Sequence, residues 1–446
     1  MTRISAILFV ISIPISTGIT HLFLLSLIFF WFLEGDLKNK AFWVFKNPTT
    51  LLTLAFFMLF LIGSSYSKAP TDDIIELLDK MSKFLYIPFL LSLFVAKKLR
   101  RMATHAFIWT MVFVFCLVSV KYFGKISFPF GNKFTEACLF KNHIDTNLLM
   151  AYATFLIAHY ALQSRLFGIR LLLYLLISVL TFYTWFMSDG RSGQVVFSVL
   201  SMLFFIQHFR WKGILWGGLF VFLLITSSSF FSKRFQERWK DNSLQITRVE
   251  IVKPENNLKA IEPVPIENIP TVVESVKPAN KLKRIFPSFS DIKLLNKEWR
   301  LELKNDLSTK ERLHFAKNTL KLIKQKPWIG YGTGSFKGIY KEQARENQWL
   351  TTSNPHNEYI NVFFQLGILG LAAILFLFGK LFIMSFRLPI LEQRFAQGIL
   401  VAIGIGSLGN SWLMDFTPGY LFVLFVGICF AAYTDKGQQE IKQSRN

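Results

Sequence analysis

Three residues combine a useful side chain with a telling neighbourhood: His356, Arg191 and Arg312. His356 lies in Asn354-Pro355-His356-Asn357, just ahead of a long apolar run. Asn at an N-cap and Pro at the first helical position is a favoured order for a helix start. The spacing therefore predicts His356 at the positive end of a membrane helix. That end disfavours imidazolium, leaving a neutral ring that can take a proton from a hydroxyl. A capping or interfacial histidine with no chemistry fits the same position. Arg191 lies in Asp189-Gly190-Arg191-Ser192-Gly193, at the start of another apolar run. Its small neighbours leave the guanidinium unshielded, and a guanidinium grips phosphate bidentately. An arginine snorkelling to lipid headgroups is the other reading. Arg312 falls in the first turn of a helix opened by the capping box Ser308-Thr309-Lys310-Glu311. Leu313, Ala316, Leu320 and Ile323 continue it at helical spacing, and Pro327 closes it. Arg312 suits a phosphate, or is a solvated surface charge.

Further candidates are softer. Lys141 and His143 end a basic loop near 121–145 that also holds Lys121, Lys125 and Lys133. The loop suits an anionic ligand, or reflects ordinary scatter of charge. The turn Gly330-Tyr331-Gly332-Thr333-Gly334 offers backbone N–H groups to an anion, which makes Tyr331, Gly332 and Gly334 candidate contacts. It is equally a plain connector: it follows no strand and has no Walker lysine. Asn357, beside His356, completes the candidate binding set. No short segment clusters His, Cys and carboxylates at metal-ligand spacing. No Asp-x-Asp, Gly-x-Ser-x-Gly or nucleotide motif occurs. No metal or cofactor is expected, so a reaction here draws its energy from the substrate, for example from a leaving pyrophosphate.

The elements that must position these residues are membrane helices. Of the 446 residues 52% are hydrophobic, 49 are Phe, and mean hydropathy is +0.39. Apolar runs recur at the length that crosses ~30 Å of hydrocarbon. About twelve spans are expected, near 5–17, 19–34, 50–66, 82–96, 104–123, 146–163, 169–187, 193–208, 213–231, 357–384, 395–411 and 417–433. The first run leads straight into the second with no small-residue cleavage site, so no signal peptide is expected. A net charge of +22 would point a soluble protein toward nucleic acid. Here the basic residues fall in alternate short loops: Lys38, Lys40 and Lys46; Lys97, Lys98, Arg100 and Arg101; Arg165 and Arg170; Arg210 and Lys212; Arg387 and Arg394. That positive-inside bias puts the N-terminus in the cytoplasm and no nucleic acid is expected as a partner. The three cysteines support no disulfide framework.

The organisation expected is a nine-helix bundle over 1–231, a large extracytoplasmic loop over 232–356, three helices over 357–434 and a cytoplasmic tail over 435–446. Within the loop, 250–305 is rich in Pro, Asn, Glu and Lys with little periodicity and reads as a flexible insertion. A second short loop helix is expected from Ser335 to Gln348. Arg191, Arg312, His356, Lys141 and His143 all fall on the outer side. The spans are nearly free of charge at their centres, which favours an interfacial enzyme over a transporter of lipid-linked glycan.

Glu311-Arg312, Lys326-Pro327-Trp328-Ile329-Gly330 through Phe336, Asn354-Pro355-His356-Asn357-Glu358-Tyr359 and Gln365-Leu366-Gly367-Ile368-Leu369-Gly370 resemble the signature of the O-antigen ligase and polymerase superfamily. Asp189–Gly193 resembles its arginine-bearing segment and, more loosely, 140–147 an upstream element. The resemblance implies an all-α, GT-C-like membrane glycosyltransferase of a bacterial inner membrane, with its site facing the periplasm. It implies undecaprenyl-pyrophosphate-linked glycan as donor, lipid A-core as acceptor, membrane lipid as surroundings, and inverting transfer without metal or nucleotide. His356 would activate the acceptor hydroxyl, and Arg191 and Arg312 would hold the pyrophosphate. A single large loop between the ninth and tenth spans favours the ligase over the polymerase. The short tail argues against a protein O-oligosaccharyltransferase.

Overall fold

The structure, a computed structural model, describes residues 1–124, 137–188, 190–231 and 309–433, without the side chains of Trp43, Thr309 and Phe231. Contacts divide the chain into residues 1–240 with 312–446, and residues 241–311. The first unit is a bundle of helices; of the second, residues 309–311 are described. Ser308, the insertion 250–305, Asp189, Lys125, Lys133 and the tail from 434 lie outside the described residues.

Among the described residues every regular element is helical. The first half holds α1 (Thr2–Ser12), α2 (Thr17–Leu33), α3 (Leu37–Lys46), α4 (Pro48–Ser65), α5 (Thr71–Ser82), α6 (Tyr86–Leu93), α7 (Lys97–Gly124), α8 (His143–Gln163), α9 (Phe167–Phe182), α10 (Arg191–Phe209) and α11 (Lys212–Phe231). The second holds α12 (Thr309–Ile323), α13 (Phe336–Glu346), α14 (Glu358–Ser385), α15 (Ile390–Gly406) and α16 (Phe416–Phe430). Each of the twelve apolar runs carries a helix, but their lengths differ. Among the described residues six helices are long and apolar enough to cross a membrane, or seven if the bent pair α2–α3 forms one span. With 8 residues α6 rises only ~12 Å, too little to span the hydrocarbon alone.

Two helices fall where loops were expected. The basic stretch with Lys38, Lys40 and Lys46 forms α3, and the stretch between the expected spans 50–66 and 82–96, which carries Asp72, Asp73 and Glu76, forms α5. In α5, Asp72 and Asp73 occupy the first turn, where the helix dipole favours negative charge, and Leu77 and Met81 are buried four residues apart.

The core runs through α16, whose fifteen residues from 416 to 430 include fourteen buried ones. A helix apolar on every side is one enclosed by neighbours. Around it pack α6, α7, α8 and α15.

Gly367 breaks α14. Its φ of 65° and ψ of −160° lie outside any helix, and a side chain there would place Cβ 2.2 Å from the Trp328 carbonyl oxygen. The break frees backbone groups on both sides, and the segment 327–334 takes them up. Ile368 N donates to Pro327 O at 2.8 Å, while Tyr331 N and Gly332 N donate to Phe364 O and Gln365 O at 3.0 and 2.8 Å. The same segment is tied to α4: Thr333 N donates to Gly63 O and Thr333 Oγ1 to Phe60 O. The segment 327–334 is thereby fixed to the bundle directly ahead of α13.

Candidate functional site

His356 precedes its helix rather than opening it. Asn357 is the N-cap of α14, its Oδ1 accepting from Ile360 N at 3.0 Å. Asn354 and Pro355 therefore sit outside the helix, which corrects the expected cap. His356 itself has φ of 53°, a left-handed conformation uncommon for a non-glycine residue. Asn354 holds it there: its Oδ1 accepts from His356 N at 2.9 Å and from Ser411 Oγ at 2.7 Å. The ring is half-buried, 6.0 Å from the Phe315 ring. Burial, and next the Arg312 guanidinium, lower its pKa to about 4. The ring is neutral at pH 7, as the sequence implied, but through desolvation and a nearby cation.

The segment 407–415, between α15 and α16, gathers the site. Trp412 is completely buried, and Gly406 makes room for its ring. Glu358, at the first helical position of α14, grips the segment from both ends. Its N–H donates to Ser407 O at 2.9 Å, and its Oε2 accepts from Leu413 N at 2.9 Å. Lys83 Nζ donates to the carbonyls of Met414 and Asp415 at 3.0 and 2.6 Å. So fixed, the segment offers its outer groups to the candidate residues. Leu408 O accepts from Asn357 Nδ2 at 2.8 Å, and Gly409 O from Arg312 Nη1 at 2.9 Å. Asn410 Nδ2 donates to Ser192 Oγ at 3.3 Å, beside Arg191.

Arg312 reaches this segment because α12 is rotated from its expected setting. Leu313 and Leu320, expected inside, are 67% and 42% exposed. The buried positions are Phe315, Asn318, Thr319, Leu322 and Ile323, the same helical period started from a different residue. Phe315 packs edge-on against Tyr340 of α13, which sets that rotation. Arg312, one turn before Phe315, thereby lies on the inner side of the helix and is only partly exposed.

Arg191 is the first residue of α10 and is half-buried. A π-helical turn, Tyr183–Met187, ends α9 just before it. Such turns often mark functional positions. Gly190 lets α8 approach: a Cβ there would lie 2.4 Å from Asn147 Nδ2 and 3.4 Å from His143 Cδ2. His143 thus lies against Gly190, the residue before Arg191. Lys141 Nζ lies over the Phe416 ring at 5.1 Å, and burial lowers its pKa. Lys121, counted with the basic loop, is instead buried and donates to Cys138 O at 2.8 Å.

The glycine turn is accounted for by packing. Gly330, Gly332 and Gly334 have φ of 69°, 93° and 80°, which glycine adopts at little cost. The amides of Tyr331, Gly332 and Thr333 bond to Phe364 O, Gln365 O and Gly63 O, and Gly334 N donates to Gln365 Oε1 at 2.8 Å. Those N–H groups dock the loop in this structure and do not point at an open anion site. Sequence reading missed Asn354 and Glu358 as holders of the site, and the segment 407–415 as its hub. The available signal was Gly406-Ser407-Leu408-Gly409-Asn410-Ser411, a cluster of turn formers ahead of a tryptophan. Among the described residues no three His, Cys, Asp or Glu side chains group as a metal site.

A family model described as O-Antigen ligase matches residues 176–375. That region holds Arg191, Arg312, His356 and the Gly367 break, while Lys141 and His143 lie before it. No curated protein matches the chain. The matched region and the motifs around His356, Arg312 and Arg191 coincide, which supports placing this chain in the O-antigen ligase and polymerase superfamily.

Proposed function

We propose that this protein is an O-antigen ligase, moving glycan from undecaprenyl pyrophosphate to lipid A-core at the periplasmic face of a bacterial inner membrane. The observation that carries the chemistry is a half-buried His356 whose pKa is lowered to about 4, next to Arg312 and on the same hub as the Arg191 segment. The acceptor hydroxyl gives its proton to the His356 ring as its oxygen attacks the anomeric carbon. The bond from that carbon to the pyrophosphate oxygen breaks, and undecaprenyl pyrophosphate leaves. Arg191 and Arg312 hold the phosphates and offset the charge that develops. Lys141 and His143, on the Arg191 side, extend the cationic surface for the donor. Transfer from the face opposite the leaving group inverts the anomeric centre.

The lipopolysaccharide gel profile of a deletion strain, complemented with wild type or H356A, tests the assignment. Bare core with polymer left on the carrier supports the ligase. Core capped with a single repeat would make the protein the polymerase. An unchanged profile would rule out lipid A-core as the acceptor.

A further inference from the structure

In the half of the bundle away from His356, α7, α8 and α9 enclose a cavity of about 710 Å³. Drug-sized ligands occupy cavities of roughly 300–1,000 Å³. Its position is fixed by connectivity. His143, Gly190 and the end of α9 are at the site end, so the start of α7, the end of α8 and the start of α9 are at the other. α8 is the floor, with α7 and α9 each packed against it as walls. The walls are apolar, and Trp109 and Leu175 are exposed at 63% and 61%, so the cavity opens sideways.

The polar lining collects at one end: His105, Tyr160, Gln163 and Ser164. Tyr160 and His105 meet edge to face at 4.9 Å. Arg170 is pinned at that end, its Nε and Nη2 both donating to Ser164 O at 3.2 and 2.6 Å. Arg101 is exposed one helical turn before His105, on the same face. Lys97, Lys98 and Arg165 add positive charge, and no Asp or Glu occurs in 97–109 or 157–179. Glu392 is paired with buried Arg100 at 3.3 Å. An apolar slot open to the bilayer, with a cationic and hydrogen-bonding mouth, is complementary to one molecular shape.

We infer that this cavity seats one acyl chain of an anionic glycerophospholipid, its headgroup against Arg101 and Arg170, in the leaflet remote from the catalytic end. Anionic headgroups are attracted to basic residues at a membrane surface, and the enclosed chain adds contact that annular lipid lacks.

The test uses the full chain in nanodiscs of equal phosphatidylglycerol and phosphatidylethanolamine, released into native mass spectrometry. The expected result is one retained phosphatidylglycerol per chain, enriched at least fivefold over phosphatidylethanolamine. R101Q and R170Q together bring the enrichment close to one. L176W, which fills the slot from α9, removes the retained lipid of either kind. If L176W aggregates, the arginine variants carry the test alone. No retained lipid, unchanged enrichment in the arginine variants, or a dimer whose second copy covers α9 would each overturn the inference.

Discussion

At the end of the bundle away from His356, several polar side chains on regular helices pair across the helices. Arg100 of α7, 2% exposed, bonds Glu392 of α15 at 3.3 Å and the Phe94 carbonyl at 3.1 Å. His208 of α10 donates through Nδ1 to Phe204 O at 2.8 Å, which leaves Nε2 to accept from Arg394 Nη1 at 3.1 Å. Gln207 and Gln397 join the same two helices at 2.8 Å. At the His356 end irregular backbone gathers the polar groups. His356 is left-handed, its helix breaks at Gly367, and the segment 407–415 ties it to Arg312 and Ser192 in the first turns of α12 and α10; His356, Arg312 and Arg191 are each partly open. Groups that satisfy one another between helices hold those helices together. Groups held in place by backbone carbonyls and left partly open can meet a substrate.

The largest expected effect separates the two ends. H356A should lower glycosyl transfer by about 10²–10⁴-fold, the range general base catalysis supplies, with thermal unfolding unchanged. R100A should do the reverse. It strands a buried carboxylate, a loss of about 3–5 kcal/mol, while transfer per folded molecule is kept. Turnover of lipid-linked donor and the unfolding midpoint in detergent measure both. If R100A loses transfer at unchanged stability, the division between the ends fails.

Asn354 gives a finer cut, because it acts on His356 only through geometry. N354A removes the acceptor for both His356 N and Ser411 Oγ. A misplaced base costs about tenfold to a hundredfold in kcat, against a stability change of about 1 kcal/mol. N354D keeps an acceptor oxygen at that point and should recover most of the rate. Equal damage in both variants would mean that the amide NH₂, and not the oxygen, matters.

The sequence shows the helices well because their signal is local. An apolar run is read without knowing its neighbours, and all twelve runs carry helices. Length was less legible: α6 has the composition of a span, but a 3₁₀ turn at Lys83–Leu85 shortens it. The candidates His356, Arg312 and Arg191 were also readable, through motif and neighbours, and the segment 407–415 bonds Arg312, Asn354 and Ser192. Their setting was not readable. The rotation of α12 depends on Phe315 meeting Tyr340, and the position of His356 on Asn354 meeting Ser411, 57 residues apart. The hub at 407–415 is held by Glu358 and Lys83, the latter 331 residues from Met414. Periodicity within one element carries no record of such partners. The glycine turn shows the same limit: a turn was readable, but its docking onto the Gly367 break required knowing that α14 breaks.

The smallest expected effect is a displacement along the pH axis, and it tests why His356 is neutral. A base must be unprotonated to accept, so kcat/KM rises as pH climbs through the pKa of the free enzyme and then levels. With His356 lowered to about 4, the rise should be centred near there and the profile should be flat through neutrality. An ordinary imidazole would centre it near 6.5. R312Q removes the second cause and leaves the first. Its midpoint should therefore move upward yet stay below 6.5, whatever the fall in rate. A wild-type midpoint at 6.5 would mean that water reaches the ring in the working enzyme. An unmoved midpoint in R312Q would mean that the guanidinium turns away from His356 and toward its phosphate, so that burial alone keeps the base neutral.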